Sequence, residues 1–578
     1  MKIVQGLFDR MVVQRNRRGV SEAAFAGVAQ SAGAVVATVT KGGKALGGFR
    51  GARVGAAGKG RFRGRLKGIP AGGPYRVSLE IRKGRKTLDE AVVNDVLVGD
   101  VWIVAGQSNA QGCGFVKDGP RPHARVRAFY MDDHWRVARE PIHNMWKTVD
   151  QVHIDLCGGV RPLKNLIVGT GPGVSFVRRM HERTGVPQGV LACGHGGTSM
   201  AQWDPKLKSL GSKSLYGATV RRFRKNGGRV AGVIWYQGES DADPNVAPLY
   251  TDRMKALIRA MRRDFRDPGL PFALVQLSRV VSWGAAAPWN SIQEQQRLLP
   301  EVVRRCATVP AIDLGLEDGI HISGKGQITL GARLADAMLV LVRGRRAGLP
   351  PIALKRVTAE KEKARPMMNV IVEFDNVVGC LTAGSRPAGF SILGQGQAEQ
   401  VYDVELSKNK ATVRTGVLPD ALSNMSLWYG AGTNPVCTIT DGAGRSLPVF
   451  GPKRIGEERA TTGFAQTLRV SRFMPGAGKL GRLKYPRRKA ALKLRTRNFG
   501  ADFCSLHPEL EKLAPKDVTV YFACDIECGE PMRLAAQVGY DGPVKVWVDG
   551  KLKFHDPDGV NPSVPGKGSA KFTAGRGK

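Results

Sequence analysis

Val96-Leu97-Val98-Gly99-Asp100-Val101-Trp102-Ile103-Val104-Ala105-Gly106-Gln107-Ser108-Asn109 is a run of buried-strand character that stops at a glycine and three polar residues. A strand apolar on both faces belongs in a parallel sheet covered by helices. Polar residues just past its C-terminal end stand where such sheets place their sites. Working outward, comparable apolar runs recur at 189–193, 230–236 and 272–277. Between them lie amphipathic stretches over 174–183 and 249–266, with apolar positions at helical spacing. Strand and helix in alternation predict an α/β unit with a parallel sheet. It closes with a helix over about 326–342, which carries Ile328, Leu330, Leu334, Ala337, Met338 and Leu341 on one face.

The flanks read differently. Residues 1–95 are short β-rich runs broken by glycine, among them the alternating Tyr75-Arg76-Val77-Ser78-Leu79-Glu80-Ile81, and are expected to form an N-terminal β-sandwich. Pro350-Pro351 ends the α/β unit, since neither proline continues a helix. The expected organisation is therefore 1–95, an α/β unit over 96–348, a β-rich unit over 352–460, and 461–578 as a basic linker plus an incomplete β-sandwich. In that last part Asp549-Gly550 between alternating runs predicts a type I′ hairpin.

Composition bounds the partners. Lys and Arg number 88 against 49 Asp and Glu, a formal net charge of +39 that attracts polyanions at low salt. The basic run 479–497 has no acid, yet it holds Pro486 and no nucleic-acid-binding motif accompanies it, so a solvated linker and no specific nucleic acid are expected. The 9 cysteines include no C-x-x-C pair, which points to free thiols and no metal site. No apolar run is long enough to span a membrane. The first ten residues hold no export signal, so the cytoplasm is the default location, with a secreted or periplasmic one if the true start lies upstream.

Four segments carry chemistry. Ser108 on a strand-to-helix turn offers an exposed hydroxyl beside a backbone N–H, although Ser108 or Asn109 also suits a plain helix cap. Gly194-His195-Gly196-Gly197-Thr198 lets backbone N–H groups approach an oxyanion, with Trp203-Asp204 following. Trp235-Tyr236-Gln237-Gly238-Glu239-Ser240-Asp241 ends an apolar strand in a polar cluster. Asp318-Gly319-Ile320-His321, 213 residues beyond the serine, supplies a base and a carboxylate that orients it on one loop.

Taken together, Gly106-Gln107-Ser108-Asn109, Gly196-Gly197-Thr198, Trp235-Tyr236-Gln237-Gly238-Glu239-Ser240 and Asp318-x-x-His321 resemble the sialate O-acetylesterase family of SGNH hydrolases and related acetylxylan esterases. The likeness runs over about 7–450 and includes Leu427-Trp428-Tyr429-Gly430. It implies a flavodoxin-like three-layer α/β/α hydrolase domain flanked by β-sandwiches, with ester hydrolysis that needs neither metal nor cofactor. It also implies an O-acetylated carbohydrate as substrate, an acidic glycan being one suited to the charge. Carried over by position, Ser108 is the nucleophile, His321 the base and then acid, and Asp318 the residue that orients it, with Glu239 as rival acid. The oxyanion hole is expected from the N–H groups of Ser108 and Gly197 and the amide of Gln237. Asn109, His195, Thr198, Trp203 and Glu239 are expected to line or support the pocket. The competing class is a non-catalytic glycan- or polyanion-binding protein on the same scaffold.

Overall fold

Nine strands open the chain: β1 (Lys2–Gln5), β2 (Val12–Gln14), β3 (Val20–Val28), β4 (Gly33–Lys41), β5 (Lys44–Ala45), β6 (Ala52–Gly58), β7 (Arg61–Pro70), β8 (Gly72–Lys83) and β9 (Lys86–Gly106). Seven of them form a sheet in the order β1-β3-β7-β6-β4-β8-β9, with β2 paired to β9 and β5 to β4. Alternation places Phe25, Val35, Val39, Phe62, Leu66, Val77, Leu79 and Ile81 on its buried face. The computed structural model describes residues 1–578 except 164–168, 282–283, 395–398, 423, 456–464, 466, 477–479, 487–488, 500–503, 505, 507–516, 529–531, 560–566, 576 and 578. Lys479, Arg487 and Arg488 of the basic run thus lie outside the described residues.

The expected boundary at 95/96 meets no break in secondary structure, because β9 is one strand of 21 residues. Its first half pairs antiparallel with β8, and beyond Asp95, which sits at φ 56, its second half enters the parallel sheet. There β9 lies between β12 (Gln188–Ala192) and β13 (Gly232–Tyr236), with β14 (Phe272–Gln276) and β15 (Cys306–Pro310) beyond β13. In chain order those five strands lie as 2-1-3-4-5. A hairpin of β10 (Val126–Phe129) and β11 (Trp135–Val137) is added outside β12.

The helices needed here are α1 (Ser108–Gln111), α2 (Gln151–Asp155), α3 (Pro172–Thr184), α4 (Leu215–Lys225), α5 (Tyr250–Asp264), α6 (Ala286–Val302) and α7 (Gly324–Arg343). Chain direction reverses across β9, so right-handed crossovers place α3 on one face, where α7 packs on it, and α4 to α6 on the other. The loop after β9 therefore leaves toward the face opposite to that taken by the loops after its neighbours β12 and β13, which opens a crevice there. One apolar core runs from Leu7 to Leu339 and joins the first sheet to the parallel one.

A β region follows. Ala353–Lys361, Met368–Asp375, Lys410–Thr415 and Val401–Ser407 make a four-stranded sheet, and Phe390–Gly394, Met425–Tyr429 and Phe450–Arg454 a three-stranded one. Phe374, Phe390, Tyr429 and Phe450 share its core. Polar side chains of the α/β part hold it. Gln276, the last residue of β14, donates to Val449 O (2.7 Å) and Gln293 O (2.9 Å) and accepts from Val449 N–H (2.9 Å). Asn290 on α6 likewise donates to Gly432 O (3.0 Å) and accepts from Gly432 N–H (2.8 Å).

The chain divides into compact units over Met1–Ala460 and Thr461–Lys578. Within the second, Val544–Val548 pairs with Lys551–Asp556, and the turn residues Asp549 (φ 49) and Gly550 (φ 78) have the positive angles that a type I′ turn requires. Met532–Val538 pairs with Gly568–Ala574.

Replacing Gln276 by Leu strands three buried backbone groups, and each orphaned group costs about 1–3 kcal/mol. Gln276→Leu should lower unfolding stability by several kcal/mol, read as a fall in the urea midpoint. An unchanged midpoint would contradict the role given to this amide.

Candidate active site

The site begins where β9 meets β13. Gly106 has φ 128, and a Cβ there would stand 2.0 Å from the Tyr236 carbonyl oxygen, so only glycine lets the two backbones come this close. The Gln107 N–H donates to that same oxygen at 2.8 Å, and α1 starts at once with Ser108, half-buried at the end of the strand.

Asn109 is fully buried and acts as a clamp. Its Nδ2 donates to Glu239 Oε1 (3.0 Å) and to the Ile320 carbonyl (3.3 Å). Its Oδ1 accepts the Ile322 N–H (2.9 Å), and its own carbonyl accepts from Gln327 of α7 (3.2 Å). Both neighbours of His321 are thereby tied to the residue that follows Ser108. On that loop His321 Nδ1 lies 2.6 Å from Asp318 Oδ2, while Asp318 Oδ1 accepts the Ile320 and His321 N–H groups, both at 2.8 Å. Partial burial alone would raise the Asp318 carboxyl, but the His321 ring and the two N–H donors hold it below its ordinary value.

Glu239 contrasts with Asp318. Burial pushes its carboxyl up, against the pull of the Asn109 amide, and among the described residues its Oε2 has no hydrogen-bond partner. Its bonded partner is Asn109, whereas the imidazole of His321 is held by Asp318. Cys113 donates its thiol to Ser108 O (3.5 Å), and burial plus the charges of Asp318 and Glu239 push that thiol up to about 12, which disfavours a thiolate.

The Gly196-Gly197 turn packs on the serine, for a Cβ on Gly196 would lie 3.4 Å from the Ser108 Cβ. Gly196 N–H donates to Gln111 Oε1 (2.8 Å), while Gly197, at φ 66, is exposed with open space around it. His195 anchors the turn, its N–H donating to Gly106 O (3.0 Å) and its carbonyl accepting the Thr198 hydroxyl (2.8 Å). Beneath it the His195 and His153 rings stack, with Nδ1 to Nδ1 at 2.9 Å, so one ring donates and the other accepts. His143 Nε2 accepts the Gly194 N–H (3.0 Å). Burial pulls His195 down to about 4 and, with the charge of Arg222 added, His143 down to about 3; His153 is lowered as well.

Two expected roles need restating. Gln237 is fully buried, and its amide nitrogen is engaged by Thr198 O (3.1 Å) and Asp241 Oδ2 (2.6 Å), so it braces the turn and holds no free N–H for a substrate oxygen. Trp203 lines no pocket: it is fully buried, edge-on to Trp235 at 5.0 Å, with its N–H on the Thr198 hydroxyl (3.1 Å). Asn109, His195, Thr198 and Glu239 are likewise supporting residues. The sequence reading passed over Gln111, His143, His153 and Gln327, whose partners lie far away in the chain. Among the described residues no group of three or more His, Cys, Asp or Glu side chains could hold a metal ion.

The chain is similar to known proteins over the same residues. Residues 98–340 match the family described as carbohydrate esterase, sialic acid-specific acetylesterase. A probable carbohydrate esterase of Arabidopsis thaliana is 29% identical over 261 residues, which cover 41% of this chain and 90% of that one. The human sialate O-acetylesterase is 29% identical over 249 residues, 38% of this chain and 46% of that one, so the match spans about half of the relative's length. A crystal structure of a carbohydrate acetylesterase from Xanthomonas citri superposes with a TM-score of 0.58 at 23% identity, over 78% of this chain and 98% of that one, and shows a shared fold. The segment that carries Ser108, the Gly-Gly turn and the Asp318–His321 pair thus lies wholly within the residues that match the sialic acid-specific acetylesterase family of carbohydrate esterases.

Proposed function

We propose that the chain is a carbohydrate O-acetylesterase, a serine hydrolase of SGNH type with flanking β-sandwich domains, that removes O-acetyl groups from sialic acid or a related glycan. The observation that carries this reading is the Asp318–His321 pair at 2.6 Å, on a loop that Asn109 ties to the residue after Ser108.

Ser108 Oγ attacks the acetyl carbonyl while His321 takes its proton, and Asp318 holds the imidazole tautomer and balances the imidazolium charge. The oxyanion is met by the Ser108 N–H, the first of α1 and so without a partner inside the helix, and by the Gly197 N–H on the open turn. The C–O bond to the sugar breaks, His321 returns the proton to the sugar oxygen, and an acetyl-serine remains. Water deprotonated by His321 then releases acetate. Glu239 supports Asn109, and Asp318 takes the acid role.

Purified protein should hydrolyse p-nitrophenyl acetate and release acetate from O-acetylated sialic acid or acetylxylan. Ser108→Ala should reduce this by about 10⁴-fold or more; full activity in that variant would sink the assignment. Asn109→Ala should lower kcat by about 10²-fold with little change in KM, since the His321 loop loses its clamp. A changed KM at constant kcat would contradict a positioning role.

Stability should fall on acidification. Unfolded histidines protonate near pH 6.5, whereas folded His195 and His143 wait until about 4 and 3. The unfolded chain binds more protons across that window, so each buried histidine removes up to about 1.4 kcal/mol per pH unit as pH drops from about 6.5. Glu140, raised by burial to about 8, works oppositely, as do the raised carboxyls of Glu239 and Asp241, while the lowered His153 and His123 add to the decline. A urea midpoint series should therefore decline below about pH 6.5; a midpoint that rose steadily to pH 4 would refute it.

A further inference from the structure

We infer that the outer face of the N-terminal sheet is a binding site for a carboxylate-bearing polysaccharide, with strand β7 as its cationic rail. The inference rests on the glycan esterase reading above and extends it to the class of chain the enzyme holds.

Strand β7 alternates Phe62 and Leu66 into the core with Arg61, Arg63, Arg65 and Lys67 into solvent. Same-face neighbours on a strand stand about 6.8 Å apart, so four cations form a straight row some 20 Å long. The strands on either side present small residues beside that row: Ala26 and Ala56 lie opposite Arg63, and Ala24 lies opposite Arg65. Without bulky neighbours the row borders an open cleft of about 850 Å³, to which Arg53 of β6 adds a further cation.

The charges there are uncompensated. Among the described residues Arg53, Arg61, Arg63, Arg65 and Lys67 have no ion-pair partner, while the same half of the chain pairs Arg15 with Asp100, Arg127 with Asp95 and Arg221 with Asp133. The acid nearest the row in the sheet register, Glu22 opposite Lys67, is already engaged by Arg229, and Glu80 is engaged by Arg82. A row of guanidinium groups suits a polymer that repeats carboxylates along its length. A single nucleic-acid strand would need exposed aromatic platforms, and the two rings that line the cleft, Phe25 and Phe49, are buried. Held on this face, a glycan would present its acetyl groups at raised local concentration.

The test compares the full chain with an Arg61→Ser/Arg63→Ser/Arg65→Ser variant in affinity electrophoresis. The gels contain polysialic acid, polygalacturonate, neutral xylan or an oligothymidylate. The wild type should be retarded by at least one carboxylated polymer, more at about 0.02 M than at about 0.3 M salt, and not by xylan. The variant should bind that polymer at least about tenfold more weakly while its p-nitrophenyl acetate turnover and unfolding midpoint stay unchanged. Equal retardation of the variant, equal retardation by xylan, or preferential binding of oligothymidylate would overturn the inference. Because binding is read without turnover, and Ser108→Ala should bind like wild type, a failed esterase assignment is distinguishable from a failed binding site.

Discussion

Everything at the candidate site hangs from the far end of one strand. At about 3.3 Å per residue β9 runs for roughly 70 Å, antiparallel to β8 in its first half and between the parallel strands β12 and β13 in its second. The N-terminal sheet and the parallel sheet share this strand and one apolar core. The position of Ser108 is therefore fixed by packing on both sides of the 95/96 expected boundary, and the N-terminal strands form part of the frame that holds this serine.

Around that frame the two acidic groups are treated in opposite ways. Asp318 is half-exposed and meets three N–H donors, which keep it ionised; Glu239 is sealed in with a single amide, and burial favours its neutral form. Two carboxyls on neighbouring loops are thus separated by environment, one suited to balancing an imidazolium and one to accepting the clamp amide. The buried histidines extend the pattern. They are kept neutral beneath the Gly-Gly turn, so the turn rests on uncharged rings.

Much of this was legible in the chain. The apolar runs at 189–193, 230–236 and 272–277 became β12, β13 and β14 within two residues at their ends, because a strand buried on both faces leaves an uninterrupted signature. Asp318 and His321 were readable as a pair because both sit on one short loop. Side-chain direction was not. Gln237 and Trp203 stand in the expected segments, but whether an amide or an indole faces the crevice or the core depends on partners such as Asp241 and Trp235, which spacing does not reveal. His143 and His153 gave no local signal, for each meets the turn across more than forty residues of chain.

The Asn109 clamp has a consequence for synthesis. Its two contacts to the His321 loop span 211 and 213 residues, among the longest-range hydrogen bonds in the molecule. A ribosome that has released β9 and its serine has still to deliver four further strands of the five and the loop before α7. Until then the proposed nucleophile has neither its proposed base nor the lock, so on this proposal the nascent chain carries a harmless hydroxyl, and reactivity arrives with completion of the domain.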